Sequence, residues 1–416
     1  MSPKHPWLGP LPGNSQLGRL KFGLAGMQAG GTPDTGTAEF WSVRGTPWVT
    51  ITDMSNNDSV ESTEKCVTAA GISSKRLSVL PPGTLLYSMY ASLGHVAELG
   101  IPAATNQAIL GLEVNARLNK RYAYWQLKAL QPYLNETAAS NTQDNLNAEK
   151  VKNLPFAFLP LAEQTRIANF LDEQTARIDA LIAEKERLVD RLAEYGRSYA
   201  SDLFSRRIAE RGTVKLKHRC SELTVGIVVT PAKYYVDFGV PCLRSLNVSA
   251  GRVFGGNLVY ISEVANELHA KSKIYAGDIV IVRSGKTGSA AVVTKEFDGA
   301  NCIDMVVIRA STLVNSGWLC AYLNSDVAGE QVTDASEGAI QQHFNVSSAR
   351  ELLIPDSSQE EQTEDLKALN YVSQATETLK NHVLREIGLF REYRSSLISA
   401  AVTGQLDIDN FGREVA

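Results

Sequence analysis

From Ile167 onward, apolar residues recur at alternating spacings of four and three. Ile167, Leu171, Ile178, Leu181, Leu188, Leu192, Tyr195 and Tyr199 follow this series, and Gln174 and Lys185 fill two of its places. That spacing is the seam of a coiled coil, and polar interruptions of this kind set its register. No Pro or Gly falls between residues 161 and 195, and Gly196 is the only one before Gly212. A second seam, from about 359 to 403, carries Leu366, Leu369, Val372, Leu379, Val383, Ile387, Phe390, Tyr393 and Leu397. A helix of about forty-five residues spans roughly 65–70 Å, and so narrow an apolar stripe has to pack on a partner. The nearest candidate is the other helix. Elsewhere the pattern changes to short β-type runs such as "PWVTI", "TLLYSMY", "DIVIV" and "AAVVT", broken by Gly, Pro and Asn turns.

These patterns occur twice. "GGTP" (30–33) is answered by "VVTP" (228–231), and "GTPWVTITDM" (45–54) by "GVPCLRSLNV" (239–248). "LPPGTLLYSMYASLGHVA" (80–97) aligns with "IYAGDIVIVRSGKTGSAA" (274–291). Gln143 and Asn147 match Gln341 and Asn345, Glu163-Gln164 matches Glu361-Gln362, and Glu194-Tyr195 matches Glu392-Tyr393. The order is fixed and the offset stays between 194 and 198 residues, which marks an internal duplication. The expected fold class is α+β: two β-rich α/β domains separated by two long antiparallel coiled-coil helices, related by a pseudo-twofold repeat. The expected division is a first domain over 1–155, a helix over 156–212, a second domain over 213–355, a helix over 356–405 and a tail over 406–416. Antiparallel pairing would carry the two domains to opposite ends of the rod.

One stretch, "DIVIVRSGKTGSAAVV" (278–293), imitates a phosphate-binding loop. That loop needs a glycine five residues before Gly285, where this chain has Val280 in the middle of a strand. The duplication explains it better: Gly285-Lys286-Thr287-Gly288 stands where the first copy has Ala91-Ser92-Leu93-Gly94. This is one glycine-bearing turn used twice with different side chains. Gln143, Asn147, Gln341 and Asn345 recur in both copies, which favours helix capping or packing.

Composition narrows the function classes. Hydrophobic content of 44% and charged content of 21% are those of a folded globular chain. The five cysteines are scattered without a C-x-x-C pair, and the six histidines are never clustered. That points to a reducing cytoplasm and away from disulfides and metal centres. No run of about eighteen apolar residues and no signal-peptide core is found. The net charge of −4 is unevenly spread: residues 213–310 carry 12 basic and 8 acidic side chains, whereas 311–416 carry 7 and 16. A modest local basic excess permits phosphate contact. The acids of the basic-leaning domains (Asp53, Glu98, Asp278, Asp304) are scattered, unlike the clustered carboxylates of a two-metal nuclease.

The segments "LPLAEQTRIANFLDEQTARIDALIAEKERLV" (159–189), "REYRSSLISAAVTGQLDI" (391–408) and "HPWLGPLPG" (5–13), with the G-x-T-P and R-S-G-x-x-G stretches, carry a family likeness. On them the chain resembles the DNA-specificity subunits of type I restriction–modification enzymes. It implies two target-recognition domains, each reading half of a bipartite double-stranded DNA target, on helices that dock two methyltransferase subunits. Nuclease–translocase subunits would join them. The resemblance also implies a non-catalytic chain, with S-adenosylmethionine, ATP and Mg held by partner subunits. No N/D-P-P-F/Y/W motif of adenine methyltransferases is present.

Donor- and acceptor-bearing residues near predicted strand ends are the DNA-contact candidates. In the second domain these are Arg244, Ser245, Asn247, Lys271, Lys273, Arg283, Ser284, Lys286 and Thr287. The matching places of the first hold Thr50, Thr52, Asp53, Lys75, Arg76, Ser88, Tyr90 and Ser92. Tyr195 and Tyr393 are expected to pack in the seam. The alternative is a coiled-coil scaffold that binds protein only, which accounts for the helices but not for two β-rich heads with varied loops.

Overall fold

The larger sheet of the first head is built around one strand buried along its whole length. That strand, Leu85–Ser88, has antiparallel neighbours Ile109–Val114 on one side and Val96–Leu99 on the other. Leu24–Ala29 extends the sheet antiparallel beyond Ile109–Val114, and Ser59–Val60 closes it in parallel beyond Val96–Leu99. Val49, Val60, Leu86, Ala97, Leu99 and Ile109 form the core beneath. A smaller sheet runs Trp41–Ser42, Cys66–Val67, Thr46–Val49, Ala104–Thr105. The structure, a computed structural model, describes residues 15–411 apart from 56, 91, 141–145, 286 and 335–343.

The second head repeats this plan. Its larger sheet runs Leu223–Val225, Met305–Ile308, Ile279–Val282, Ala290–Val292, all antiparallel. Its smaller sheet runs Tyr235–Val236, Val259–Ile261, Val240–Leu243, Asn301–Cys302. Each head is also closed by a two-stranded ribbon, Gln16–Arg19 with Pro155–Phe158 in the first and Thr213–Lys215 with Leu353–Pro355 in the second. The strand Ile279–Val282 leads through a turn with Gly285 and Gly288 at positive φ into the strand Ala290–Val292. A helix never follows, so the stretch is not a phosphate-binding loop. Gly94 in the first head has the same positive φ and bonds back to Ser88 as Gly288 bonds to Val282. Asn147 and Asn345 each cap a short helix through a backbone N–H, as the repeat suggested. Gln143, Gln341 and the opening segment 5–13 lie outside the described residues.

The two long helices span Leu161–Arg211 and Gln359–Val402. The second ends where Gly404, at φ 70°, lets the chain fold back so that the Gln405 N–H bonds to the Ala400 carbonyl. The chain divides into two compact units, residues 1–184 with 386–416 and residues 185–385, so the division falls within both helices. Inside the first unit the helix segments run antiparallel, shown by the Arg166–Asp409 and Arg394–Asp179 ion pairs and by the Phe170 and Phe411 rings 5.0 Å apart. Inside the second, Arg207 meets Asp365 at 2.9 Å and Arg211 meets Glu361, which is again antiparallel.

The glutamines of the repeated Glu-Gln pairs join head to helix. Gln164, fully buried, accepts from the Asn119 N–H at 2.7 Å and donates to the carbonyls of Leu159 and Arg117. Gln362 does the same with the Asn315 N–H at 2.8 Å and the Ser357 carbonyl. Asn119 and Asn315 in turn cap the head helices Lys120–Ser140 and Ser316–Leu323. From those helices Trp125 donates its indole N–H to Asp172 at 2.9 Å, and Trp318 to Asp365 at 3.1 Å.

The expected seam holds at Ile167, Leu171, Ile178, Val383, Ile387 and Leu397, all buried. It fails at Leu181, Leu188, Tyr195, Leu379 and Tyr393, which are 37–56% exposed. Near the heads a third element covers the helix pair. Away from them a two-helix layer shields only part of each stripe, so Tyr195 and Tyr393 do not pack in a core. Replacing Trp318 by Phe should lower stability by about 1–3 kcal/mol, because buried Asp365 loses a donor while Arg207 remains. Urea unfolding of the parent and the variant measures this, and an unchanged midpoint would contradict it.

Candidate nucleic-acid interface

The candidate residues separate into those the heads use internally and those they present. Ser88 is fully buried and its hydroxyl donates to the Tyr90 carbonyl at 2.7 Å. Asn247 is also fully buried: it accepts from the Arg244 N–H and donates to the carbonyls of Phe254 and Gly256. Both assignments as DNA contacts are corrected by this burial, because a base edge cannot reach them. Asp53 takes the Asn247 role in the first head, accepting from the backbone N–H and hydroxyl of Thr50 at 2.7 Å each and from the Glu64 N–H at 3.0 Å. An acceptor three residues after the start of a turn is a capping signal. That signal was present in the sequence at both places.

Arg283 is held on two sides, by Asp304 at 2.7 Å and by the Phe344 carbonyl at 3.0 Å, and its side chain is 17% exposed. Ser284 donates to the other oxygen of Asp304, and Thr287 donates to the Arg283 carbonyl. These contacts fix the turn's geometry. Lys286 lies outside the described residues. Arg244 reaches the Asn257 carbonyl at 2.7 Å, and Lys273 pairs with Glu267.

Thr52, Lys75, Arg76, Tyr90, Ser92, Ser245 and Lys271 are exposed. Lys75 and Arg76 end the helix Ala69–Lys75, with Arg76 in the left-handed region at φ 51°. Tyr90 and Ser92 sit in the turn after Leu85–Ser88, and Ser245 in the turn after Val240–Leu243. Each head therefore presents polar side chains beyond strand ends, in different kinds and numbers.

Six of the twelve Lys and Arg side chains in residues 213–310 form ion pairs among the described residues. Lys215 and Lys217 both bond Glu351 and hold its carboxyl at about 2. Arg219 pairs with Asp356, and Arg309 with buried Asp278 at 2.6 Å. Arg252 and Lys271 enter no ion pair among the described residues. Counting charges in the sequence thus overstates what is available to phosphates. Two apolar side chains missed by that count stand out: Val43 is 96% exposed and Phe238 91%.

A family model described as the type I restriction modification DNA specificity domain matches residues 22–189. The chain is 21% identical over 352 residues to the specificity subunit of the type I restriction enzyme EcoBI of Escherichia coli, covering 78% of this chain and 74% of that one. It is 25% identical over 184 residues to the specificity subunit of the type I restriction enzyme MjaIX of Methanocaldococcus jannaschii, about two-fifths of each chain. A solved chain, from work on complex assembly and conformational transition of the type I R-M system, superposes with a TM-score of 0.70 at 15% identity. That superposition covers 95% of this chain and 99% of the other, and it shows a shared fold.

The internal role of Asn247 has a measurable consequence. Asn247→Ala should cost about 1–3 kcal/mol, since it leaves the Arg244 N–H and the Phe254 and Gly256 carbonyls without their partner. Ser245→Ala, two residues away and exposed, should stay within about 0.5 kcal/mol of the parent. Equal losses in denaturant titrations of the two variants would show that burial does not separate these roles.

Proposed function

We propose that the chain is a specificity subunit of a type I restriction–modification enzyme, recognising DNA sequence within such a complex, and that its two heads each read one half of a bipartite target. What supports this reading is one observation: two heads whose smaller sheets share one strand order keep the same glutamine and tryptophan joints while their exposed turn residues differ. A shared joint with varied tips suits two readers of different sequences on one frame.

The long helices dock two methyltransferase subunits, and nuclease–translocase subunits join that assembly. Leu188, Tyr371, Leu379 and Leu389, all exposed, are apolar surface such docking would cover. The partners supply the reaction together with S-adenosylmethionine, and ATP and Mg where translocation occurs. This chain contributes recognition and placement and holds no catalytic residue. A protein-only scaffold would need the helices but would leave the two sets of exposed turn residues without a use.

The test is a methylation map of the complex with its methyltransferase partner. Lys271→Ala and Ser245→Ala should degrade recognition of one half-site, and Lys75→Ala and Arg76→Ala the other. A lost base contact relaxes one position by about 1–3 kcal/mol, whereas a lost phosphate contact weakens all sequences alike and lowers the salt slope by about one. Blurring of both half-sites by a variant in one head would defeat the proposal. A complex that assembles but methylates without sequence preference would favour the scaffold.

A further inference from the structure

In each head's smaller sheet the chain makes an unusual passage. Trp41 and Thr46 both pair with Val67, and Ser42 and Pro47 both pair with Cys66, so the two segments flank one strand on either side. Residues 43–45 must therefore cross over that strand. In the second head Tyr235 and Val240 both pair with Ile261, and Val236 and Pro241 with Tyr260, so residues 237–239 make the same crossing. The last residue of each strap is glycine for a steric reason. A Cβ on Gly45 would lie 2.6 Å from the Val67 carbonyl oxygen, and one on Gly239 would lie 2.4 Å from that of Ile261. A strap held this tightly on the strand leaves its other side chains no interior to enter, which is why Val43 and Phe238 stand in solvent. In the first strap the Ser42 hydroxyl accepts from the Arg44 N–H at 3.0 Å and donates to the Arg44 carbonyl at 2.7 Å, bracing the loop in this form.

We propose that the straps Val43-Arg44-Gly45 and Asp237-Phe238-Gly239 are DNA-contact elements, with Phe238 acting as an apolar wedge against a base step of its half-site. This rests on the reading of the heads as DNA readers. An apolar side chain presented on a rigid protrusion is what proteins insert between bases, where it unstacks a step and shapes the duplex. Val43, smaller, makes a shallower apolar contact of the kind a thymine methyl offers, with Arg44 beside it for phosphate. Between DNA and a protein partner, the repeat itself decides. The straps keep the same backbone route and the same glycine, yet carry Val-Arg in one head and Asp-Phe in the other. Two copies of one methyltransferase subunit would need the same chemistry on both heads. Two different half-sites need different chemistry.

The experiment uses the full chain in complex with its methyltransferase partner, with duplexes carrying the mapped target. Because the side chain is exposed, Phe238→Ala should leave unfolding of the chain unchanged. It should weaken cognate binding about ten- to a hundred-fold and relax the methylation map in one half-site only. Phe238→Trp should retain most of the affinity, and Val43→Ala should relax the other half-site. Unchanged binding and methylation in Phe238→Ala, with Lys271→Ala still impairing a half-site, would overturn the strap proposal and leave the DNA-reading function standing. If Lys271→Ala and Arg76→Ala were also without effect, the reading of the heads would fall with it. Loss of methyltransferase co-purification in Phe238→Ala, with DNA affinity of the isolated chain unchanged, would make the strap a protein contact and overturn the proposal.

Discussion

A carboxylate on a long helix, held by an indole N–H from a head, is the contact on which the arrangement of each unit depends. Asp365 is nearly fully buried, and an unpaired buried charge is costly enough to force partners into place. Trp318 supplies one from the head, and Arg207 another from the neighbouring long helix. One residue thereby joins the head to a helix and that helix to its antiparallel neighbour. In the first unit Asp172, whose side chain is 36% exposed, takes the Trp125 N–H and an ion pair with Arg121, which comes from the head. The acid and the indole are duplicated while the cation and the burial are not.

The buried glutamines make the joint directional. Gln164 and Gln362 each bond a backbone N–H that opens a head helix and a carbonyl that precedes a long helix. Such bonds are short-range and angle-dependent, so they fix how the helix leaves the head and not merely that it touches it. The aromatic packing around them, Phe204 against Trp318 and Tyr322 in the second unit, adds area without that directionality. Rigid joints suit a protein whose exposed turns have to meet defined positions on a partner.

The surfaces left open follow from the same economy. Two helices side by side cannot cover their own apolar stripes once they leave the heads, so Leu188, Leu379 and Leu389 face solvent. The straps expose Val43 and Phe238 for another reason, since close passage over a strand turns their side chains outward. Cations are the reverse case. Lys215, Lys217, Arg219, Arg283 and Arg309 look like phosphate ligands in a list of charges, yet each is bonded to an acid of its own unit.

The duplication, the β-rich heads and the two long helices were legible in the sequence, because repeats and hydrophobic periods are local patterns that survive without coordinates. So were the helix caps at Asn147 and Asn345, which need only a residue and its position before a helix. The contact surface was not legible in this way. Ser88 and Arg283 have the chemistry of DNA ligands, and only their partners in the fold (the Tyr90 carbonyl, the Phe344 carbonyl and Asp304) reveal that the fold has claimed them; of the three, Asn247 alone carried a local capping signal. For Arg283 those partners lie 21 and 61 residues away, beyond any local window, whereas the Tyr90 carbonyl lies two residues from Ser88. Nor could the seam's spacing tell that Leu181 and Tyr195 lie half open, since periodicity marks a face but not what covers it. Chain-local physics determined the elements and their repetition; long-range pairing of charge, hydrogen bond and strand decided which side chains remain exposed.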